Sequence, residues 1–467
     1  MMKNLWILTE ERPKQEVIQR ILIRFAKDKK FASFVDTVRI LPVLQKGQFT
    51  FVYEVCGFQC KKIGKILIKS VSGNSSFVDF LVFYQEKEPT QEDIPLYAIE
   101  ETKTDDQESR NTSVYQRASK FVFLEMYYPT TKKVMLYNLQ IEQKKEPTDT
   151  YIFGTRLLLT LGVEIEGKIL DKKIFKPFKT VKDVISCKGE MKMPPKGNVP
   201  ILINKTNGKI TVSGRLFKSD SLSHDPNIGA LSLISASIRK LGWKKEIQIT
   251  KHGLKRKHLM STNKFINIAH HLKLQFQSLS LPNRKATNPD TYWKYEERGE
   301  KLGTIFIHLV VENFTEGHSI FENHAGCEKG YFITSEGNPL QIEKYSNRKA
   351  YKSGDKSKVI RIPDLILIDL SRAEIINVEG KKYKCRKQGV RQLRGFSNIE
   401  KYYIKKHYPK YKIVRTVVLY GGNQKKVVEI QVGFLLSKEG HLVLGVRAPK
   451  LFKKAIKNLK DFWAEEN

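Results

Sequence analysis

Two carboxylates and one ammonium group occur at short spacing on adjacent predicted β-strands. Asp364 precedes the apolar run at residues 365–368, and fourteen residues separate it from Glu379. Glu379 and Lys381 are two positions apart, so on a strand their side chains point to the same face. Carboxylates held together at a sheet edge are costly unless a divalent cation lies between them. The spacing therefore predicts metal-dependent phosphodiester chemistry.

The surrounding sequence predicts the elements that position these groups. Residues 365–368 are continuously apolar, as in a strand covered on both faces. Residues 374–378 predict a second strand, and residues 387–406 a helix that ends before Pro409. Residues 413–420 predict a further strand. The expected order is strand, turn, strand, helix, strand.

The pattern Pro363-Asp364, then Glu379-Gly380-Lys381, resembles the PD-(D/E)xK nuclease superfamily, best known from type II restriction endonucleases. The resemblance implies that Asp364, Glu379 and the backbone carbonyl of Gly380 bind Mg²⁺. It also implies that Lys381 orients or deprotonates the attacking water. An ordinary β-hairpin with a surface ion pair is the alternative interpretation.

A looser copy of the pattern occurs in the first third of the chain. Asp79 stands at the start of an apolar run, and Glu101-Thr102-Lys103 follows a second run. By the same resemblance, Asp79, Glu101 and Lys103 are expected to be catalytic, and Asp79, Glu101 and Thr102 to bind Mg²⁺. Val78 stands where the family pattern has proline. A solvent-side cluster beside a core strand is the alternative.

The elements around this copy repeat the same order. Residues 77–84 and 96–103 predict strands, residues 113–123 a helix, and residues 133–139 a return strand. Period-two alternation puts Glu101 on the catalytic face and its neighbour Glu100 on the opposite face.

Positive charge is concentrated outside the first third of the chain. The net charge is +34; residues 1–150 carry 23 Lys and Arg against 20 Asp and Glu, and residues 151–467 carry 60 against 29. A field of that sign favours a polyanion, because phosphate neutralisation supplies most non-specific affinity for nucleic acid. The middle and C-terminal parts are therefore expected to bind DNA.

Two groups of polar residues are candidate DNA contacts. One pair lies on the predicted helix after the first motif, and a basic cluster lies on a predicted loop in the middle of the chain. A solvated helix face and a solvated basic loop are equally good interpretations. The candidates are Gln116, Arg117, Lys251, Lys255, Arg256 and Lys257.

An early helix at residues 292–314 carries three glutamates, Glu296, Glu297 and Glu300. Restriction-type folds often bring a glutamate from such a helix to the metal site, and any of these could assist the second centre. Surface charge is the alternative. Elsewhere, His270-His271 lies in an apolar helical context and is expected to be structural.

The expected fold class is α/β (α+β), with two restriction-endonuclease-like mixed-sheet cores, flanking helices and a basic middle region. The predicted regions are a first nuclease-like domain at 1–150, a DNA-recognition and connecting region at 151–290, and a second nuclease domain at 291–467. Five scattered cysteines argue against a disulfide framework. With no secretory signal or membrane-length apolar run, the protein is expected to be cytoplasmic, without a membrane partner.

The expected function is site-specific, Mg²⁺-dependent hydrolysis of double-stranded DNA by a type II restriction endonuclease, one strand per centre. A cognate DNA methyltransferase is a family expectation, and the protein would act as a monomer or homodimer. One alternative is an enzyme with a single active catalytic centre, as in a homodimeric enzyme or a nickase. The other is a non-cleaving DNA-binding or repair factor on the same fold.

Overall fold

The computed structural model describes most of the chain. The described residues are 2–9, 12–70, 78–102, 113–137, 149–166, 175–191, 201–213, 226–259, 263–283, 300–324, 330–422 and 430–466. Among the sequence-based candidates, Lys103, Glu296 and Glu297 lie outside these residues.

The described residues form a mixed α/β protein, which confirms the expected class at that level. The strands are β1 (Asn4–Thr9), β2 (Phe34–Gln45), β3 (Gln48–Gln59), β4 (Ile66–Ser70), β5 (Phe80–Gln85), β6 (Tyr97–Thr102), β7 (Lys132–Tyr137), β8 (Glu164–Glu166), β9 (Leu202–Thr206), β10 (Lys209–Ser213), β11 (Ile247–Thr250), β12 (Leu274–Phe276), β13 (His318–Glu322), β14 (Tyr331–Ile333), β15 (Pro339–Gln341), β16 (Leu365–Asp369), β17 (Glu374–Lys382), β18 (Lys412–Tyr420), β19 (Val432–Leu436) and β20 (Leu442–Leu444).

The helices lie between and after these strands. They are α1 (Gln15–Lys29), α2 (Ser113–Glu125), α3 (Asp149–Thr160), α4 (Val181–Glu190), α5 (Pro226–Lys240), α6 (Arg256–Leu259), α7 (Asn263–His271), α8 (Glu300–Phe314), α9 (Arg348–Ser353), α10 (Arg386–Leu393), α11 (Ser397–Ile399), α12 (Lys405–His407) and α13 (Lys450–Glu466).

The chain divides into two compact units that are discontinuous in sequence. The first unit contains Met1–Asn74, Tyr84–Glu88 and Lys294–Asn467, and the second contains Ser75–Phe83 and Pro89–Trp293. The first unit thus joins residues from the predicted first and third regions.

A six-stranded sheet in the first unit has the order β13-β16-β17-β18-β19-β20. Strand β16 runs antiparallel to both β13 and β17, whereas β17 is parallel to β18. Between β13 and β16 the chain forms the separate β14-β15 hairpin and α9, and after β17 a helical segment leads to the parallel strand β18. A separate part of this unit pairs β2, β3, β4 and β1 in that order.

Strand β16 is buried at every position, which is why its sequence is continuously apolar. One face of the sheet meets α8, where Gly303 lies against Val418 of β18. The other face meets the helical segment after β17, where Gly389 of α10 lies against Val417. The core between that segment and the sheet includes Ile366, Ile375, Leu393, Phe396, Ile399 and Leu419.

The helix predicted at 387–406 is a broken helical segment. Its α10, α11 and α12 pieces are joined by a single 3₁₀ turn at Arg394–Phe396 and a π-helical turn at Glu400–Ile404. A π turn inserts one extra residue per turn and re-aims the side chains that follow it. The strands predicted on either side of this segment, at 374–378 and 413–420, are confirmed as β17 and β18.

The second unit repeats the strand and helix order around its own motif. Strand β5 pairs antiparallel with β6, and β6 pairs parallel with β7 after α2. The expectations at 77–84, 96–103, 113–123 and 133–139 thus correspond to β5, β6, α2 and β7. A second sheet in this unit has the order β12-β11-β10-β9.

Candidate active sites

The Asp364 centre (Asp364, Glu379, Gly380 and Lys381) lies where β16 begins beside β17. Leu365 pairs with Val378, so the next position of the register sets Asp364 opposite Glu379. The main-chain amide of Gly380 donates a hydrogen bond to Asp364 Oδ2 over 2.7 Å. The two carboxylates are therefore on one face of the sheet, as alternation requires.

The lysine of this centre is held against its partner carboxylate. Lys381 Nζ lies 2.9 Å from Glu379 Oε1, and both side chains are buried. Gly389 of α10 sits directly above Lys381: a Cβ atom at that position would be 2.8 Å from Lys381 Cγ. A glycine is required there for the helix to approach the lysine so closely.

A buried polar network lies on the same face, two residues before the carboxylate of β17. Asn377 Nδ2 donates to Glu400 Oε1 over 3.0 Å. Arg415 of β18 donates to both oxygens of Glu400, each over 2.6 Å. This bidentate pair and the hydrogen bond from Asn377 fix the π turn against the sheet.

The Asp79 centre in the second unit has the same geometry with a different partner. Phe80 pairs with Ile99, so the next position of the register sets Asp79 opposite Glu100. The amide of Glu101 donates to Asp79 Oδ2 over 2.8 Å, and the amide of Asp79 donates to Glu100 Oε2 over 3.1 Å. Asp79 and Glu100 are almost completely buried, 2% and 0% exposed.

The two centres align residue by residue through the shared hydrogen bond. The amide that reaches the aspartate belongs to Glu101 in one and Gly380 in the other, so Glu100 matches Glu379. Each of these glutamates also pairs with an apolar residue of the following parallel strand: Glu100 with Met135 of β7, and Glu379 with Val417 of β18. The carboxylate beside Asp79 is therefore that of Glu100, one residue before the Glu101 expected from sequence.

The Glu-x-Lys spacing predicts Glu101 as the partner of Asp79, whereas the pairing between β5 and β6 places the Glu100 carboxylate there. Glu101 is buried and contributes its main-chain amide to Asp79, while strand alternation directs its side chain to the opposite face. Thr102 stands in the register position that corresponds to Lys381.

An ammonium group that the sequence reasoning missed completes the Asp79 centre. Lys120 of α2 places Nζ 3.2 Å from Asp79 Oδ1 and 2.9 Å from Glu100 Oε1. In the sequence, Lys120 is only one of many cations, on a predicted helix. The signal that could have found it is its position on the helix that must cover this strand pair.

The donor sets of both centres fit a hard divalent cation. Each provides two carboxylates and an adjacent backbone carbonyl, and oxygen ligands of this kind are what Mg²⁺ prefers. In each case an ammonium group lies beside the carboxylates and offsets part of their charge. Burying two carboxylates without such compensation would be strongly unfavourable.

The basic residues predicted to contact DNA lie on the surface of the second unit. Lys251, Lys255, Arg256 and Lys257 are exposed, at the end of β11 and the start of α6. The neighbouring His252 is buried, and its Nε2 lies 2.9 Å from the carbonyl oxygen of Gln277, which anchors the loop. The loop thus presents its cations on a fixed backbone.

The remaining residues singled out in the sequence lie in helices. Gln116 and Arg117 lie in α2, one turn before Lys120. Glu300 is the first residue of α8. His270 and His271 end α7, and His270 Nε2 lies 2.8 Å from the carbonyl oxygen of Pro282.

Comparison of the chain with models of protein families, with characterised proteins and with solved structures finds no significant match. Among the described residues, no helix has both the length and the apolar character needed to cross a membrane.

Proposed function

We propose that this protein is a metal-dependent DNA endonuclease with two phosphodiester-cleaving centres, of the type II restriction class. One observation carries the proposal. Each unit holds an aspartate whose carboxylate accepts a hydrogen bond from the amide that follows a glutamate on the next strand. In both units a helix and a parallel strand follow, and a lysine ammonium lies beside the carboxylates.

At the Asp364 centre, Asp364, Glu379 and the carbonyl of Gly380 would hold Mg²⁺. Bound there, Mg²⁺ would offset charge on the phosphodiester and lower the pKa of a water molecule. Lys381 orients that water and offsets negative charge that develops in the transition state. Glu379 positions Lys381 through their 2.9 Å contact.

At the Asp79 centre, Asp79, Glu100 and the carbonyl of Glu101 would hold the ion. Lys120 takes the part that Lys381 takes in the other centre, although it comes from a helix rather than a strand. Thr102 and Lys103, expected from sequence to take part, are not needed by this geometry.

The exposed cations at Lys251, Lys255, Arg256 and Lys257 support the assignment of DNA as substrate. Exposed lysine and arginine side chains neutralise phosphates without reading sequence. The excess of positive charge in residues 151–467 supplies the wider field. Recognition of a specific sequence, and a protecting methyltransferase, belong to the restriction class.

A single-centre enzyme is the second candidate, and one observation favours it. Thr102 occupies the register position of Lys381, so the Asp79 centre departs from the Glu-x-Lys pattern on its strand. If Lys120 did not substitute for the missing strand lysine, the protein would nick one strand or cut as a homodimer.

Cleavage of supercoiled plasmid tests the proposal. The wild-type protein with Mg²⁺ is expected to produce linear DNA, and chelation with EDTA is expected to stop it. The double variant Asp79→Asn/Asp364→Asn is expected to bind plasmid and leave it intact. Absence of any cleavage by the wild type across a set of plasmids with Mg²⁺ or Mn²⁺ would refute the nuclease assignment.

A further inference from the structure

Two histidines and a glutamate converge in the first unit. His308 lies in α8, Glu322 ends β13, and His324 follows two residues later. His308 Nδ1 lies 2.9 Å from His324 Nε2, and Glu322 Oε2 is 3.7 Å and 3.9 Å from these two nitrogens. The three ligand atoms are thus close enough for one ion to bind all of them.

Both imidazoles are oriented by partners on their other ring nitrogens. His308 Nε2 lies 2.8 Å from Glu312 Oε1, which also accepts from Ser319 Oγ over 3.1 Å. His324 Nδ1 lies 2.9 Å from Thr304 Oγ1. Metal-binding histidines characteristically have such a carboxylate or hydroxyl behind them, which fixes the ring and its tautomer.

The surroundings shift the pKa of all three groups. Burial lowers the pKa of both His308 and His324. Burial alone would raise the pKa of Glu322, but the Arg12 and Lys14 cations beside it hold that pKa below its usual range.

Two cations contact the carboxylate of Glu322 and offset its negative charge. Arg12 Nε lies 2.5 Å from Glu322 Oε2, and its Nη1 is 3.5 Å from Glu312 Oε2. Lys14 Nζ lies 3.5 Å from Glu322 Oε1. Arg12 also contacts Glu312, so it keeps a carboxylate partner if Glu322 Oε2 binds an ion instead.

This cluster is separate from the Asp364 centre. Glu322 pairs with Leu365, while Asp364 is the adjacent residue and projects to the opposite face of the sheet. The two sites are linked through the backbone, because the amide of Asn323 donates to the carbonyl oxygen of Asp364 over 2.7 Å. An ion at the cluster would brace the strand end that holds Asp364 in place.

We propose that His308, Glu322 and His324 form a binding site for a borderline transition-metal ion, with Zn²⁺ as the expected occupant. Two imidazoles and one carboxylate suit Zn²⁺ and leave a fourth position for water, whereas Mg²⁺ prefers an all-oxygen set. The ion links α8 to the end of β13. This proposal does not rest on the proposed nuclease function.

Calorimetric titration of the metal-stripped full chain with Zn²⁺ tests the site. The wild type is expected to bind one equivalent that excess Mg²⁺ does not displace. His324→Asn and Glu322→Gln are expected to weaken that binding by roughly 100-fold or more, and Glu312→Gln by about 10- to 100-fold as an outer partner. His318→Asn is the matched control, since His318 is an exposed histidine on the same strand, and should leave binding unchanged.

X-ray absorption at the zinc edge of the wild-type protein decides the ligands if a variant fails to fold. Two imidazoles with oxygen neighbours support the site. A sulfur-containing or all-oxygen shell would overturn it, as would wild-type protein that binds no Zn²⁺, or equal binding by His324→Asn and the wild type.

Discussion

Lys120 Nζ lies 2.9 Å from Glu100 Oε1, although Lys120 belongs to helix α2 and Glu100 to strand β6. The contact gives the second unit an ammonium group beside its carboxylates, and in the first unit Lys381 lies in the same way beside Glu379. The two centres therefore share their charges and main-chain hydrogen bond and differ in the element that supplies the cation.

The one-residue difference between Glu100 and Glu101 predicts opposite outcomes for two similar variants. Glu100→Gln removes a carboxylate beside Asp79 and is expected to slow cutting by the Asp79 centre roughly 10²- to 10³-fold, as the loss of one charge-stabilising group does. Glu101→Gln leaves the amide donor in place and should change the rate less than about tenfold. Strand-resolved cleavage rates measure both, and a larger effect at Glu101 would contradict the register.

Gly389 is predicted to position Lys381. A methyl group at 389 would press on Lys381 Cγ at 2.8 Å and on Val417 at 3.1 Å. Gly389→Ala is therefore expected to lower the cleavage rate of the Asp364 centre while DNA affinity stays near wild type. The matched control is Gly189→Ala in α4, where a Cβ meets nothing within 4 Å, so helix propensity should make the protein slightly more stable. Equal cleavage rates for both variants would disprove the positioning role.

Removal of Arg415 is predicted to destabilise the fold, because the carboxylate of Glu400 would stay buried without this cation. Glu400 is buried and accepts two hydrogen bonds from Arg415. Arg415→Met should lower the free energy of unfolding by about 2–3 kcal/mol. That is below the ~3–5 kcal/mol of a fully buried pair, because 32% of the Arg415 side chain is exposed.

Arg372→Met provides the control for this measurement. Arg372 is exposed and its Nε is 3.6 Å from Glu374, so its removal should cost less than about 1 kcal/mol. Urea denaturation measures both variants, and equal losses would show that the buried network adds nothing.

Tyr53 is predicted to weaken the folded state slightly at neutral pH. Its side chain is fully buried, and its hydroxyl has no hydrogen-bond partner among the described residues. An unpaired buried hydroxyl costs ~1–3 kcal/mol, so Tyr53→Phe should raise the free energy of unfolding by about 1 kcal/mol. Tyr351→Phe, at an exposed tyrosine, should have no measurable effect.

The same tyrosine predicts a pH dependence. Burial raises the pKa of Tyr53 far above its ordinary value of 10. The unfolded chain then releases this proton above pH 10 while the folded chain retains it, so stability falls as pH rises. The advantage of Tyr53→Phe should grow by about 1.4 kcal/mol per pH unit above pH 10. A constant difference between pH 9 and pH 11 would contradict the raised pKa.

Local periodicity predicted the strands around both centres and helix α2, but not the 3₁₀ and π turns that break the helical segment at 387–406. The run at 365–368 predicted a doubly covered strand, and β16 is buried throughout. Local periodicity could not predict which residues of different elements lie together in the fold. The partner of Asp79 depends on the register between β5 and β6, and Lys120 reaches the site only because α2 packs over that strand pair.

Contacts between distant parts of the chain were equally invisible to sequence reasoning. Arg12 pairs with Glu322 across about three hundred residues, and both belong to a unit built from the two ends of the chain. His308, Glu322 and His324 have no ligand spacing typical of a zinc motif, so only the packing of α8 against β13 brings them together.

Strand-resolved cleavage of an end-labelled DNA duplex by lysine variants shows whether the chain has two active centres. Lys120→Met is expected to leave one strand uncut and Lys381→Met the other, while the double variant cuts neither. Lys103→Ala, the lysine of the sequence pattern, serves as the comparison and should cut both strands. Two separate centres are ruled out if Lys120→Met cuts both strands as fast as the wild type, or if Lys381→Met alone abolishes cutting of both.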